Sequence, residues 1–210
     1  MSLFIVFEGI TGSGKKTHIR LLKEELEKLR FKVATISFPS YETSIGRITK
    51  QDLDAYTLSL IFAADRLRAR KEIENLLKEG VIVISDRYCY SNFAYQGAKG
   101  VDINWLKEVE RFCVKPDLVF LVDVPVEISI SRVQQAKIED YLTKVRLVER
   151  LKKERENLEK VRENYLRLAR GDKEVEWVVI DGTKSIEENH RTIWKIVKEK
   201  LSLSVSKPSN

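Results

Sequence analysis

Residues 3–17 read LFIVFEGITGSGKKT, an apolar run followed directly by a glycine-rich stretch and two lysines. The second part matches the phosphate-binding pattern G-x-x-x-x-G-K-[ST] at seven of its eight positions. A strand that turns through such a loop into a helix directs backbone N–H groups and the helix dipole at phosphate oxygens. We therefore expect a nucleoside triphosphate to bind here. The expected binding residues are Gly9, Ile10, Thr11, Gly12, Ser13, Gly14, Lys15, Lys16 and Thr17.

The departure from the pattern is Lys16, which stands where a hydroxyl normally ligates Mg²⁺. An ammonium group cannot act as that ligand, because it has no free lone pair. Three outcomes are open. Thr17 takes a different role, water replaces the lost ligand while Lys16 points away, or the second cation partly substitutes for the charge of the metal.

Beyond the loop, short apolar runs alternate with long amphipathic stretches. Mostly continuous β-branched runs predict strands covered on both faces, at residues 3–8, 32–37, 81–85, 117–123 and 175–180. Helical patterns occupy residues 15–29, 55–78, 103–113, 126–134, 154–169 and 186–201. This alternation predicts one α/β domain over residues 1–210, with a mostly parallel five-stranded sheet and helices on both faces.

The composition limits the class of protein without deciding it. The chain has 210 residues, 43% of them hydrophobic and 33% charged, a proportion typical of thermophilic proteins. Its net charge of +6 suits anionic partners. Cys89 and Cys113 form no CxxC pair, which indicates reduced thiols in a cytoplasmic protein rather than a zinc site. The first apolar run is too short for a signal peptide or a membrane span.

One segment is strongly basic. Residues 136–155 read AKIEDYLTKVRLVERLKKER, with few apolar positions. On charge alone this is the solvated face of a helix. The alternative interpretation is a mobile basic lid, at about residues 135–155, that closes over a phosphate site.

Several motifs, in order along almost the whole chain, resemble the thymidylate kinase family. They are FEGITGSGKKT (7–17), FPSYETSIG (38–46), SLIFAADRLR (59–68), ISDRYCYSNFAYQGAKG (84–100), KPDLVFLVDVP (115–125), VRENYLRLA (161–169) and VIDGTKSIEE (179–188). The resemblance implies a P-loop kinase fold with a small mobile lid and transfer of the γ-phosphoryl group of ATP to dTMP, giving dTDP and ADP. It also implies Mg²⁺ as cofactor and a cytoplasmic homodimer. No pattern typical of nucleic-acid binding accompanies these motifs.

The resemblance also assigns roles to individual residues. The expected catalytic residues are Lys15, Asp86, Arg87 and Arg150, with Arg132 and Thr183 beside the adenine and Asp86 and Thr17 on the metal. The expected acceptor-binding residues are Glu8, Phe38, Pro39, Tyr41, Arg47, Phe62, Arg66, Arg87, Ser91, Tyr95 and Gln96. Glu8 is also expected to help organise Mg²⁺.

Five of these assignments rest on physical arguments as well. Asp86 and Arg87 end a predicted strand, and ligands of open parallel sheets bind at the carboxyl ends of strands. Phe62 and Arg66 are four residues apart, so they share one helix face, where they can stack on a pyrimidine and donate to its exocyclic oxygen. Tyr95, packed against the sugar, would exclude a 2′-hydroxyl.

Two departures from the family pattern leave other functions open. Thr11 stands where the family has an acidic residue, and Tyr41 where some relatives place an arginine. These changes leave room for a broader kinase acting on dUMP, UMP or dCMP. Lys16 leaves room for a protein that binds a nucleotide without catalysis.

Overall fold

Five parallel strands form the central sheet, in the order β2-β3-β1-β4-β5. The computed structural model describes residues 2–136 and 141–205. The strands are β1 Phe4–Glu8, β2 Val33–Ser37, β3 Ile82–Asp86, β4 Leu118–Asp123 and β5 Glu176–Asp181. The helices are α1 Lys15–Lys28, α2 Ser44–Ile48, α3 Ala55–Lys78, α4 Cys89–Ala98, α5 Ile103–Val109, α6 Val126–Gln135, α7 Tyr141–Lys153, α8 Arg155–Gly171 and α9 Ile186–Val205. The predicted parallel α/β sheet is confirmed.

Apolar side chains cover both faces of the sheet because successive residues of a strand point to opposite sides. In β1, Phe4 and Val6 are buried in one cluster, and Ile5 and Phe7 in another. The first cluster packs against side chains of α3, α4, α6 and α8, and the second against α1 and α9. The predicted burial on both faces holds for β1, β3 and β4, whereas β2 and β5 are edge strands and partly exposed.

The helices differ from the prediction at three places. The helix predicted at residues 103–113 ends at Val109, and Glu110 is its C-cap. The short helix α2 and the helix α4 were not predicted. The first free N–H groups of α4 are capped from another strand, because Glu8 of β1 accepts from the backbone N of Tyr88 and of Ser91. A cap from so distant a position leaves no local signal in the sequence.

The basic segment is largely helix α7. The part of the predicted lid at residues 137–140 lies outside the described residues. Leu151 is buried within the core cluster that contains Phe4 and Val6, and Leu147 and Val148 pack against that cluster. This apolar stripe docks α7 on the domain, so the segment is more than a solvated face.

Cys89 and Cys113 are both free thiols, as predicted. Within residues 2–136 and 141–205, none of the helices combines the length and apolar character needed to cross a bilayer.

Candidate active site

The candidate site lies at the carboxyl edge of the sheet, where β1 separates β3 from β4. Ligands of open parallel sheets bind at such a point, because the loops that leave neighbouring strands diverge there. Phe7 of β1 pairs with Asp86 of β3, so the glycine-rich loop after Glu8 begins beside Asp86 and Arg87. The glycine-rich loop after β1 and the loop after β3 are far apart in sequence, and the parallel pairing of their strands brings them together.

The glycine-rich loop needs its glycines for both conformation and space. Gly9 and Gly12 have φ angles of +138° and +81°, where other residues are strained. A Cβ atom on Gly9 would lie 2.5 Å from the carbonyl oxygen of Val122, and one on Gly12 would lie 2.6 Å from that of Ser129. The loop is thus packed against β4 and α6 in one fixed shape.

Lys15 is buried within this loop. Its Nζ donates to the carbonyl oxygens of Gly9 (2.9 Å) and Ile10 (3.0 Å) and to Oγ of Ser13 (3.4 Å). Burial, with a smaller contribution from the charge of Arg87, lowers the pKa of Lys15 to about 7. A bound phosphate would restore the full charge of this amine, so the loop is prepared for an anion.

Asp86 and Lys16 line one cavity of about 480 Å³ beside the loop. Oδ1 of Asp86 is buried without a hydrogen-bond partner, whereas Lys16 is exposed and Thr17 half-buried. A buried carboxylate oxygen without a hydrogen-bond partner lowers the stability of the fold, and a bound cation would supply the missing partner. The described residues hold no cluster of three or more Asp, Glu, His or Cys side chains, but Mg²⁺ at nucleotides needs only one or two carboxylates plus phosphates and water. Asp86 therefore fits a Mg²⁺ ligand.

A second cavity, which we call the acceptor cavity, has a volume of about 260 Å³. It lies between α3, α4, the loop after β2 and the end of α7. Its lining residues are Thr11, Phe38, Pro39, Leu58, Phe62, Arg66, Arg87, Ser91, Asn92, Tyr95, Gln96, Lys99, Arg150 and Glu154. The structure thus brings most of the predicted acceptor residues together, and adds Arg150 of the predicted lid to the same cavity. Thr11, predicted on the triphosphate side, also faces this cavity.

Arg87 is held at the junction of the two loops. Its Nη1 donates to Oγ of Ser91 and to the hydroxyl of Tyr165, both at 3.2 Å. Its Nη2 donates to the hydroxyl of Tyr95 (3.2 Å) and to Oγ1 of Thr11 (3.4 Å). Four oxygen acceptors fix the plane of the guanidinium, and a phosphate bound by it as a fork would replace part of these neutral contacts with stronger, charge-assisted ones. Sequence reasoning missed Tyr165, whose only signal is its place in the VRENYLRLA motif.

Glu8 has a different role from the one predicted. It is fully buried, and its carboxylate accepts from the backbone N of Tyr88 (2.8 Å) and from the N and Oγ of Ser91 (3.1 and 2.7 Å). The hydroxyl of Tyr165 also donates to it, at 2.9 Å. Burial raises the pKa of Glu8, and the nearby charge of Arg87 opposes that effect. Glu8 therefore anchors α4 and lines neither cavity, because its oxygens are already occupied.

Two amide oxygens of α4 lack partners in the acceptor cavity. Oδ1 of Asn92 and Oε1 of Gln96 are buried and accept no hydrogen bond. They are one helical turn apart, so both reach the same part of the cavity. Gln96 was predicted. Asn92 was not, because its position one turn before Gln96 is meaningful only once α4 is known to be a helix.

Arg66 faces the same cavity from α3, where it is 2% exposed. Its Nε donates to Oε2 of Glu110 at 3.0 Å, and its Nη2 donates to Oε1. The carboxylate thus holds one edge of the guanidinium and leaves its remaining N–H groups for the cavity. Sequence reasoning missed Glu110, which was assigned to the interior of a helix.

Tyr41 and Arg47 are not brought to the acceptor cavity, contrary to the prediction. Tyr41 is exposed and lies under the ammonium of Lys50, 4.8 Å from the ring centre. Arg47 donates to the carbonyl oxygen of Glu42 and to Oγ of Ser44. Arg47 lies in the unpredicted helix α2, where its partners are local, and Tyr41 lies in the turn before that helix.

Arg132 connects the glycine-rich loop to the loop after β5. Its Nη1 donates to the carbonyl oxygen of Ser13 (3.1 Å) and its Nη2 to that of Gly182 (2.7 Å). The neighbouring Thr183 donates through its backbone N and its hydroxyl to Oδ1 of Asp181. Arg132 therefore holds the loop that carries Thr183 next to the glycine-rich loop, and neither residue lines the acceptor cavity; their place beside the adenine stays a prediction.

Comparisons with known proteins agree with this arrangement. The family model described as "Thymidylate kinase" matches residues 7–193. A probable thymidylate kinase of Thermococcus onnurineus (strain NA1) is 37% identical over 214 residues, which covers 95% of this chain and 98% of the relative. One of Methanocaldococcus jannaschii is 39% identical, covering 91% of this chain and 94% of the relative. The thymidylate kinase of Plasmodium falciparum (isolate 3D7) is 35% identical, covering 92% and 89%.

Proposed function

The chain belongs to the thymidylate kinase family, and from this premise we propose how its residues divide the work of phosphoryl transfer. The protein is a nucleoside monophosphate kinase that transfers the γ-phosphoryl group of ATP to dTMP. The observation that carries the proposal is Arg87, whose guanidinium contacts the glycine-rich loop at Thr11 and lines the acceptor cavity. Nothing in the comparisons supports a broader acceptor range or a non-catalytic role.

On the donor side, we assign the triphosphate to the loop from Gly9 to Thr17. Lys15 exchanges its loop contacts for the β- and γ-phosphates, and the N-terminus of α1 adds positive potential. Arg132 and Thr183 lie beside the adenine. Phosphoryl transfer needs little covalent chemistry from the protein. Most of the catalysis therefore comes from positioning the substrates and stabilising the negative charge of the transition state.

We assign Mg²⁺ to Asp86, on the argument of its unsatisfied Oδ1. When bound, the ion neutralises charge on the phosphates. Lys16 is not a ligand. It lines the same cavity as Asp86, and we propose that its ammonium adds positive charge there. Water, with Thr17 close by in the first turn of α1, takes the place of the missing hydroxyl ligand.

On the acceptor side, Arg87 holds the phosphate of dTMP in line with the γ-phosphoryl group. Arg150, at the end of α7, lines the same cavity and stabilises the charge that is shared during transfer. We propose that the segment around α7 closes on the substrates and excludes water.

The base and sugar are recognised deeper in the cavity. Phe62 stacks on the pyrimidine, Arg66 donates to O4, and Gln96 and Asn92 offer acceptor oxygens to N3–H. We assign Tyr95 to the sugar, because Arg87, which is assigned to the neighbouring phosphate, donates to its hydroxyl and lies 5.1 Å from the centre of its ring. This arrangement selects a deoxyribonucleotide with an oxygen at C4.

A panel of acceptors tests the proposed function. ADP formation from Mg·ATP is measured with dTMP, dUMP, UMP, dCMP and AMP offered singly. We expect fast turnover with dTMP, slower turnover with dUMP and negligible turnover with UMP, dCMP and AMP. Equal rates with dTMP and UMP would contradict the role of Tyr95, and absence of turnover with every acceptor would contradict the assignment as a whole.

We further propose a cytoplasmic homodimer. Tyr56, Leu60 and Leu67 are 53%, 52% and 49% exposed and share one face of α3, roughly opposite the face that carries Leu58, Phe62 and Arg66 into the acceptor cavity. An exposed apolar stripe of this kind suits a symmetric helix–helix interface.

Sedimentation analysis measures the oligomeric state directly. We expect a mass twice the 24.4 kDa of the chain, and a monomer when Leu60 and Leu67 are both replaced by Glu. These side chains lie outside the core, so the variant remains folded. A wild-type chain that sediments as a monomer at micromolar concentration would contradict the dimer.

A further inference from the structure

We propose that Glu110 is the positioning residue by which this enzyme distinguishes thymine from cytosine, because it fixes which hydrogen-bonding groups of Arg66 and Asn92 face the base. The inference rests on the proposed dTMP site. Glu110 is 5% exposed, and among the described residues it does not line the acceptor cavity. Its effect on the base is therefore exerted through its neighbours.

The carboxylate of Glu110 is saturated by four donors. Oε2 accepts from Nε of Arg66 and from Sγ of Cys113, both at 3.0 Å. Oε1 accepts from Nη2 of Arg66 and, at 2.7 Å, from Nδ2 of Asn92. One buried anion thus orients both a guanidinium and an amide that line the acceptor cavity.

The orientation of Asn92 is the more informative consequence. Its Nδ2 is taken by Glu110 and by the carbonyl oxygen of Ser59 at 3.1 Å. Its Oδ1 is left buried without a partner, on a side chain that lines the cavity. Because a carboxylate and a backbone carbonyl can only accept, Glu110 and Ser59 together hold the NH₂ end of Asn92, with Glu110 at the shorter distance, and leave the acceptor end free.

This pattern matches thymine and opposes cytosine. Thymine presents an acceptor at O4 and a donor at N3–H, whereas cytosine presents a donor at N4 and an acceptor at N3. Arg66 can only donate, and the free end of Asn92 can only accept. Cytosine would therefore leave two buried groups without partners, which is a strong basis for rejection.

A carboxamide at position 110 would weaken this constraint. It can still accept from Arg66, but its own NH₂ group can donate to Oδ1 of Asn92, which lowers the cost of turning that amide over and leaves only the Ser59 carbonyl to oppose the turned state. A turned Asn92 would present Nδ2 to the base and accept cytosine at N3. The substitution Glu110→Gln changes one atom of the side chain and keeps its volume.

The test compares kcat and KM for dTMP and dCMP in the full chain, with saturating Mg·ATP. For Glu110→Gln we expect KM for dTMP to rise about tenfold, kcat to change less than about threefold, and the dTMP-to-dCMP ratio of kcat/KM to fall at least about tenfold. The control is Glu108→Gln, the same change at an exposed position of α5, which should leave the ratio unaltered. Loss of folded enzyme alone would lower activity toward both substrates equally, so the ratio isolates the positioning role.

The outcomes separate this inference from the proposed function. A wild-type enzyme without preference for dTMP over dCMP overturns the proposed acceptor site itself. A selective wild-type enzyme whose Glu110→Gln variant is equally selective overturns only the role of Glu110. If Glu110→Gln is not recovered folded, Glu110→Asp keeps the charge but withdraws the carboxylate by one methylene. A reduced ratio in folded Glu110→Asp supports the inference, and an unchanged ratio overturns it.

Discussion

Replacing Lys15 by Met is expected to lower kcat for dTMP phosphorylation by about 10³-fold, since one preorganised cationic donor at the transferred group is worth about 10²–10³. The amine lies inside the glycine-rich loop, with three oxygen acceptors within 3.4 Å. No other described lysine contacts the loop in this way, so its charge has no substitute. The measurement is ADP formation under saturating ATP and dTMP.

The stability of the same variant shows that the loss is catalytic. The pKa of Lys15 is about 7 in the folded chain against an ordinary value of 10.5. Between these values the unfolded chain binds more protons, so this residue makes the folded state less stable as pH falls from 10.5 to 7. Methionine removes that effect. Lys15→Met should therefore melt no lower than wild type at pH 7, with an advantage that shrinks toward pH 10.5.

Lys28→Met is the matched control, because Lys28 is an exposed lysine at the far end of the same helix and lines neither cavity. It should retain wild-type turnover. Near-normal turnover in Lys15→Met would overturn the assignment of the donor site.

Replacing Arg87 by Lys is expected to lower kcat/KM for dTMP by about 10²–10³-fold, because a guanidinium fork loses its bidentate geometry when it becomes a point charge. Four hydrogen bonds fix the plane of the Arg87 guanidinium. Their acceptors are Ser91, Tyr95, Thr11 and Tyr165. KM for ATP should change less than about threefold, since Arg87 is assigned to the acceptor.

The control for this substitution is Arg167→Lys, on an exposed arginine that pairs with Glu163. It should leave both KM values unchanged. Steady-state kinetics with each substrate varied in turn distinguishes the two sites. A rise in KM for ATP without one for dTMP would place Arg87 on the donor and contradict the account.

The loop and the sheet could be predicted from sequence because their signals are local. The pattern from Gly9 to Lys15 lies between an apolar run and a helical pattern, and each apolar run became a strand within one residue of its predicted ends. Asp86 and Arg87 followed from the rule that loops at the carboxyl edge meet in space.

The groups behind the acceptor cavity could not be predicted, because they depend on contacts distant in sequence. Glu8 and Ser91 are 83 positions apart, and Arg66 and Glu110 are 44 apart. Nothing near Glu110 in the sequence distinguishes it from the exposed Glu108 two residues earlier. The helix α2 differs in having a local cap, since the side chain of Thr43 accepts from the backbone N of Gly46, but it was missed because it is only five residues long and has no apolar pattern.

The central claim is that the γ-phosphoryl group of ATP ends on dTMP. The most direct measurement follows ATP labelled with ¹⁸O in its γ-phosphoryl group, incubated with dTMP, Mg²⁺ and the wild-type chain, with the products separated and weighed by mass spectrometry. The account predicts that the label appears in dTDP, one equivalent for each ADP formed, and that Lys15→Met forms labelled dTDP about 10³-fold more slowly. Label released as inorganic phosphate while dTMP stays unchanged would contradict it.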